Sequence, residues 1–384
     1  MYHAVSNARI AGHPENRPAR RRCALAAWAL AAAMAACLAA GPAWAAGTLF
    51  TGAAPAVAPS APPPPPAATP ASAPDPAATD KPAGAKTLKS PAKPSKDCFC
   101  LPLDYRNADG TFNQESITAQ QKRRLEAINE KLGTKLRLAE TPHYLVFSDT
   151  DAAMTSQFVK WSEVLYASLC AQFGIEPKER VWDGKCILIV FRSRPKFQEY
   201  AKVFDENSAA NAGAFFAWEH YEAGLPECVH ICIPLDERDP RRLQELFAHE
   251  GTHAFFQLFY RPVELPLWLH EGLAEYMTVV NDSNLRSPKM APAVAAARAG
   301  MPLQPLLKAG TGHDLKIQEY CVAFSLVDYL QQAGKAKFRK FIMLLKDGKD
   351  QNAAMKAAYG FDTVALAERW RASLVPEGPA AKRR

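Results

Sequence analysis

The chain has 384 residues, of which 48% are hydrophobic and 22% are charged, so it is long enough to bury at least one large core. Its net charge of +7 comes entirely from residues 1–96, which hold 10 Lys and Arg against 3 Asp and Glu; the remainder holds 36 of each. A neutral folded part excludes the basic surface of a nucleic-acid-binding domain, and we expect no nucleic-acid partner.

Residues 1–45 have the three parts of a secretory signal peptide. Arginines precede an apolar stretch at 23–40, and the small-residue end at 43–45 is typical of a cleavage site. A glycine and a proline at 41–42 would break an apolar helix, which favours cleavage after Ala45 over a permanent membrane span. We therefore expect an exported protein that works in the periplasm or outside the cell.

Two alternatives would keep the N-terminus at the membrane. The signal segment could remain uncleaved as an anchor. A second route is lipidation of Cys37, because the Met-Ala-Ala triplet before it loosely resembles a bacterial lipobox. Both predict membrane anchoring through the N-terminus, and the residues alone leave the choice open.

Residues 46–96 consist mainly of Ala and Pro, with five lysines near the end. Such a composition cannot bury a core and favours extended polyproline II segments. We predict a disordered, semi-rigid spacer that holds residues 97–384 away from the N-terminal anchor. Its lysines would allow contact with anionic cell-envelope polymers, and the alternative is a spacer with no binding role.

Seven cysteines follow the export segment. An oxidising compartment favours disulfides, with Cys228 and Cys232 as a local candidate pair and at least one thiol left over. The spacings contain no paired CxxC units, so a cysteine zinc site is not expected.

Apolar periodicity divides residues 97–384 into strands followed by helices. A capping box at Thr118 predicts a helix through Leu132. Strands are predicted at 144–148, 186–191, 213–218 and 229–234. One helix is predicted around 158–169, and another is predicted to begin at residue 195. The tail is predicted to form helices at 318–333, 335–346, 350–358 and 362–374.

Asp239 and Pro240 are typical of a helix start, and the helix that follows contains the sequence HEGTH. On a helix His249 and His253 lie four residues apart on one face, so both imidazoles can bind one metal ion, with Glu250 beside them as a base. The alternative is a core helix whose histidines are only hydrogen-bonded. Strands before this helix and helices after it predict an α+β fold, with a small mixed sheet over the HExxH helix and a helical C-terminal part.

A second motif, WLHEGLAEY at 268–276, supplies two more carboxylates. Glu271 and Glu275 are four residues apart and share a helix face, and spacing does not decide which of them contacts the metal. Two histidines and one glutamate would leave a fourth Zn²⁺ position for water, as catalytic zinc sites require. Glu250 would then accept a proton from the zinc-activated water during peptide hydrolysis.

Two further elements are candidates for contact with substrate. Tyr320, near the start of a tail helix, could donate to the developing oxyanion, and His313 is a second candidate; the alternative for Tyr320 is a packed aromatic. The strand beginning at Gly213, Ala214 and Phe215 is a candidate edge strand that could pair with an extended peptide.

The two motifs together resemble those of gluzincin metallopeptidases, and most closely those of exported bacterial peptidase-MA-like proteins. This resemblance is specific over residues 245–277 and implies a zincin-like domain. It also implies that zinc is bound by His249, His253 and Glu271. Glu250 would be the base, and Glu275 would contact a ligand histidine without binding the metal. His270 departs from the family, which often has Asn there, and this places aminopeptidase-type recognition in doubt.

The expected function is therefore that of an exported zinc metallopeptidase acting on peptide or protein substrates. The longer metzincin motif is excluded because Phe256 and Phe259 stand where it needs Gly and His. Gly251 is unfavourable inside a helix, which predicts a close backbone contact or an approach by substrate. Alternatives are a catalytically idle, zinc-containing module of the cell envelope and a hydrolase of a non-peptide cell-wall amide.

Overall fold

A computed structural model of the chain describes residues 21–22, 104–176, 178–204, 213–220, 224–236, 239–310 and 315–375. The predicted linker, Cys37, His313 and the signal peptide apart from residues 21–22 lie outside these ranges. Among the described residues, no helix is both long and apolar enough to cross a membrane.

The strands form one mixed sheet. They are β1 (Arg137–Glu140), β2 (Tyr144–Ser148), β3 (Cys186–Phe191), β4 (Phe215–His220) and β5 (Cys228–Pro234). Their order across the sheet is β4-β5-β3-β2-β1, and Arg21–Arg22 pair antiparallel with the end of β4 as a further short strand. The central strands β2, β3 and β5 are parallel, whereas β1 and β4 run antiparallel to their neighbours.

Helices pack on both faces of this sheet and continue beyond it. They are α1 (Gln114–Leu132), α2 (Ala152–Phe173), α3 (Arg194–Phe204), α4 (Pro240–Leu258), α5 (Leu267–Asn281), α6 (Arg286–Arg298), α7 (Gln304–Lys308), α8 (Ile317–Gln332), α9 (Lys335–Lys346), α10 (Gln351–Tyr359) and α11 (Thr363–Leu374). Helices α1 and α3 cover one face of the sheet, while α2 and α4 cover the other. The HExxH helix is thus α4.

The sequence of β3 shows why the sheet lies between two helical layers. Leu188 packs into the core that contains α2 and α4, whereas Ile187 and Ile189 pack into the core that contains α1 and α3. A strand buried on both faces has apolar residues at every position instead of alternate ones. All described strands longer than two residues precede α4, which confirms the prediction of an α+β fold with a small mixed sheet.

Several predicted boundaries differ from the observed ones. Helix α1 begins at Gln114, because the side chain of Asn113 accepts the Ser116 amide at 3.1 Å; Thr118 lies inside the helix and donates to the Gln114 carbonyl instead. The predicted capping box is therefore wrong. The sequence also failed to predict β1, a short and largely exposed strand, and helices α6 and α7, which have no regular apolar period.

The predicted disulfide between Cys228 and Cys232 is also wrong, since both residues are thiols in the structure. They belong to one extended strand, β5, where four residues span about 13 Å. A disulfide needs Cα atoms less than about 7 Å apart.

Two glycines allow helices of the core to approach one another closely. A Cβ on Gly251 would lie 2.5 Å from Cδ2 of Leu165 on α2, so this glycine serves packing between α4 and α2. A Cβ on Gly272 would lie 2.5 Å from the backbone oxygen of Ala323 on α8. The sequence predicted either a close contact or an approach by substrate at Gly251, and the structure shows the close contact.

Lys346, a buried residue at the end of α9, holds the C-terminal end of α4. Its ammonium donates to the carbonyl oxygen of Phe256, and the oxygen of Gln257 lies 3.3 Å away. These carbonyls lie in the last turn of α4, where no helical amide remains to bond them. Burial lowers the pKa of Lys346 to about 7, against which Glu264 and Glu227 act in the opposite direction.

We predict that Gly272→Ala destabilises the protein more than Gly251→Ala does. The new methyl group at Gly272 would meet a backbone carbonyl that cannot move alone, which costs about 1–3 kcal/mol. At Gly251 it would meet the end of a leucine side chain that can rotate, and the better helix propensity of Ala offsets up to about 1 kcal/mol. Urea denaturation of both variants measures the difference in unfolding free energy. Equal losses of unfolding free energy would contradict the conclusion that Gly272 has the less adaptable neighbour.

We also predict a pH-dependent stability that originates from Lys346. Between about pH 7 and its usual pKa of 10.5, Lys346 is neutral when folded but protonated when unfolded, so its contribution to the unfolding free energy rises with pH. The rise is at most about 1.4 kcal/mol per pH unit. Lys346→Met should remove it in urea titrations from pH 7 to 9, whereas Lys340→Met, at an exposed position of α9, should not. If the unfolding free energy of the wild type changes with pH in parallel with that of Lys346→Met, Lys346 is not the origin of the pH dependence.

Candidate functional site

Helix α4 places the first motif in its buried middle. The Asp239 carboxylate accepts the Arg241 amide at 3.0 Å, and Pro240 occupies the first turn, as predicted for the helix start. His249, Glu250 and His253 are almost fully buried. The local sequence therefore determines where the helix starts, and its period places both histidines on one face.

The chain then reverses direction between α4 and α5. Residues 259–266 form the connection, in which Tyr260 has a positive φ of 64°, and Pro266 precedes the first residue of α5. Helix α5 packs beside α4 and carries the second motif. This arrangement brings Glu271 to the two histidines although 18 or more residues separate it from them in sequence.

Three donor atoms converge between the two helices. The Nε2 atoms of His249 and His253 are 3.0 Å apart, and Oε2 of Glu271 lies 3.4 Å and 3.5 Å from them. Neighbouring donors in a tetrahedral zinc site are about 3.3–3.4 Å apart when each is about 2.0–2.1 Å from the metal. Lone pairs that face one another need a cation or protons between them, so this donor set fits a metal ion.

Glu250 lies on the same helix turn, directed toward the sheet. Burial raises the pKa of its carboxyl group, while the imidazoles of His249 and His253 and a hydrogen bond from the Phe216 amide act in the opposite direction. Its Oε2 atom is buried without a hydrogen-bond partner among the described residues. A buried carboxylate with one unsatisfied oxygen and a raised pKa is a stronger base than an exposed carboxylate, which suits it to accept a proton.

Glu275 lies on the other side of the His249 ring from Glu271. Its Oε1 is 3.0 Å from His249 Nδ1, and its Oε2 accepts a hydrogen bond from Lys289. Burial would raise the pKa of Glu275, but Lys289 and His249 lower it to about 2. Burial likewise would lower the pKa of His249, but Glu271 and Glu275 raise it to about 10. Both carboxylates thus favour a positive charge at this histidine.

His270 lies beside His253 at the candidate centre. Its ring stacks on that of His253 at 4.0 Å between centroids, and Phe216 lies 5.8 Å away. Burial and the nearby His253 hold the pKa of His270 well below its usual range. Neither of its ring nitrogens has a hydrogen-bond partner among the described residues.

The remaining predicted residues lie around this centre. Tyr320 is on the first turn of α8, with its ring centroid 6.5 Å from that of His249. Gly213 and Ala214 precede β4, which begins at Phe215. On its outer edge β4 pairs, among the described residues, only with Arg21–Arg22, at Glu219 and His220.

Sequence reasoning missed two residues next to the centre. Lys289 on α6 bonds both Glu275 and, at 2.8 Å, Oε1 of Glu245. Glu245 could have been noticed, because it is one helical turn before His249 on α4. No sequence signal identifies Lys289, which lies on a helix that the periodicity did not predict.

The C-terminal part of the chain resembles a known protein family. A family model described as the Peptidase MA superfamily matches residues 227–376, a range that contains β5, α4, α5 and all helices after them. A search of curated proteins finds no match. The match supports a peptidase-like hydrolase of a superfamily that is typically metal-dependent, and His249, His253 and Glu271 form a group that could hold a metal ion.

Proposed function

We propose that this chain is an exported zinc metallopeptidase in which His249, His253 and Glu271 bind the metal. The observation that carries the proposal is the spacing of 3.0–3.5 Å between their three donor atoms. Two imidazoles and one carboxylate are the donor set of catalytic zinc sites that keep a fourth position open. Zinc would supply Lewis acidity there, activating a water molecule and polarising the scissile carbonyl.

Glu250 is the proposed general base. Its carboxylate accepts a proton from the attacking water, whose oxygen forms a bond to the peptide carbonyl carbon. The same carboxyl group returns the proton to the amide nitrogen as the C–N bond breaks, so the products are a carboxylic acid and an amine. The Phe216 amide fixes one side of the carboxylate and so limits its orientation toward the reacting atoms.

The start of β4 is the proposed substrate-binding edge. Gly213, Ala214 and Phe215 lie where an extended peptide could add to the sheet as a further strand. Phe216 joins this edge to the centre, because its amide bonds Glu250 and its ring lies 5.4 Å from that of His253. Tyr320 is the proposed donor to the developing oxyanion.

Glu275 has a supporting role in this proposal. It would accept the Nδ1 proton of His249 and thereby direct the lone pair of Nε2 toward the metal, as carboxylates do behind many zinc-bound histidines.

Export is proposed from the sequence of residues 1–45, with residues 46–96 as the spacer. Intact-mass measurement of the secreted or membrane-extracted protein distinguishes cleavage after Ala45 from lipidation of Cys37 and from a retained anchor. Recovery of only full-length protein in the cytoplasm would contradict export.

The central test is zinc content together with peptide cleavage. Purified wild-type protein and Glu250→Gln should each hold about one zinc per chain by elemental mass spectrometry, whereas His253→Ala and Glu271→Gln should lose it. Circular dichroism of all four proteins is the folding control. A wild-type protein that binds no zinc when zinc is supplied would remove the proposal.

Cleavage is followed with a mixture of unstructured peptides and mass spectrometry of the products. Glu250→Gln should abolish cleavage with zinc still bound, and Tyr320→Phe should lower kcat by about 10²–10³ if its phenol bonds the oxyanion. Unchanged cleavage by Glu250→Gln contradicts its role as base. A zinc-loaded wild type that cleaves no peptide would favour a cell-wall amide substrate or an idle envelope module.

A further inference from the structure

Lys289 is a buried cation that lies outside both sequence motifs. It lies on α6, and only 8% of its surface is exposed. Lysines are almost never this buried unless they are paired. Its ammonium donates to Glu245 on α4 and to Glu275 on α5, so one side chain joins three helices.

The two oxygens of Glu275 have different partners. Oε2 accepts from Lys289, and Oε1 lies 3.0 Å from Nδ1 of His249. A carboxylate anchored at one oxygen cannot rotate freely, so the direction of the other oxygen is determined. An ionised carboxylate can only accept hydrogen bonds, so Oε1 at this distance favours the tautomer of His249 that carries the proton on Nδ1.

We propose that Lys289 is a positioning residue for the metal site. Held by Glu245, it orients the Glu275 carboxylate, which in turn fixes the ring and the tautomer of His249 so that Nε2 faces Glu271 and His253. Lys289 therefore increases the zinc affinity of the site although it touches no ligand. The inference rests on the proposed metal site, since it concerns how one of its ligands is held.

Helix α6 also offers a residue that separates positioning from packing. Arg286, one turn before Lys289, forms two hydrogen bonds of 2.7 Å with Asp328 on α8. This ion pair also attaches α6 to its neighbours, but it does not reach Glu275 or His249. Arg286→Met thus removes a cation and an interhelical ion pair from α6 without altering the chain of contacts to His249.

The experiment measures the zinc dissociation constant of the full chain by competition with a chromophoric chelator. We expect Lys289→Met to weaken zinc binding by about 10-fold or more, in the range typical of residues that orient metal ligands. Lys289→Arg should restore part of the loss, because it keeps a cationic donor. Arg286→Met should change the constant by less than about twofold.

A double-mutant cycle tests whether Lys289 acts through Glu275. Glu275→Gln keeps an acceptor for His249 but removes the charge that Lys289 holds. In that background Lys289→Met should cause little further loss of affinity. Additive losses would show that Lys289 acts by another route and would overturn the inference. The imidazole Nδ1–H signal of His249 in proton NMR should persist in Arg286→Met and weaken in Lys289→Met.

The remaining outcomes distinguish failure of the positioning role from failure of the proposed zinc site. Wild-type affinity or tighter binding in Lys289→Met, as expected if the cation only repels zinc, overturns the positioning role and leaves the zinc site intact. Equal losses in Lys289→Met and Arg286→Met assign the effect to packing of α6 and also overturn it. Absence of zinc binding by the wild type removes both proposals. If Lys289→Met does not fold, Lys289→Met/Glu245→Gln, which buries one carboxylate less, replaces it in every comparison.

Discussion

The interaction on which the rest of this structure depends is the pairing of ionisable groups inside its core. Imidazoles, carboxylates and an ammonium group are removed from water between α4, α5 and α6, where an unpaired charge would cost several kcal/mol. The members of this cluster are Glu245, His249, Glu250, His253, Glu271, Glu275 and Lys289. Nearly every one of these groups lies within contact distance of an oppositely charged or hydrogen-bonding neighbour. These contacts form only when the three helices have one particular relative orientation.

Packing elsewhere in the core holds the helices in that orientation. Gly251 lets α4 lie directly on α2, and Gly272 lets α5 lie directly on α8. Helix α4 is also held at both ends, by Asp239 at its start and by Lys346 at its final carbonyls. Donor atoms on elements fixed in this way need little rearrangement to bind a metal ion, and preorganisation of this kind strengthens binding.

The same packing connects the candidate centre to the sheet. The backbone amide of Phe216 reaches Glu250, and the ring of Phe216 lies beside both His253 and His270. Movement at the start of β4 would therefore alter the position of the carboxylate proposed as base. Substrate binding at this edge and proton transfer at Glu250 would be linked through one residue.

Local sequence determined much of this protein. The four-residue spacing of His249 and His253, the start of α4 at Asp239 and the helices of the tail follow from helical period and end signals, which act within a few residues. The tertiary structure alone placed Glu271 beside both Nε2 atoms and Glu275 beside Nδ1, because that choice depends on how α5 crosses α4. It likewise brought Lys289 to the centre, beside Glu275 and Glu245. Contacts of this kind join residues that are distant in sequence, and their geometry depends on how the helices pack against one another, which residue patterns do not encode.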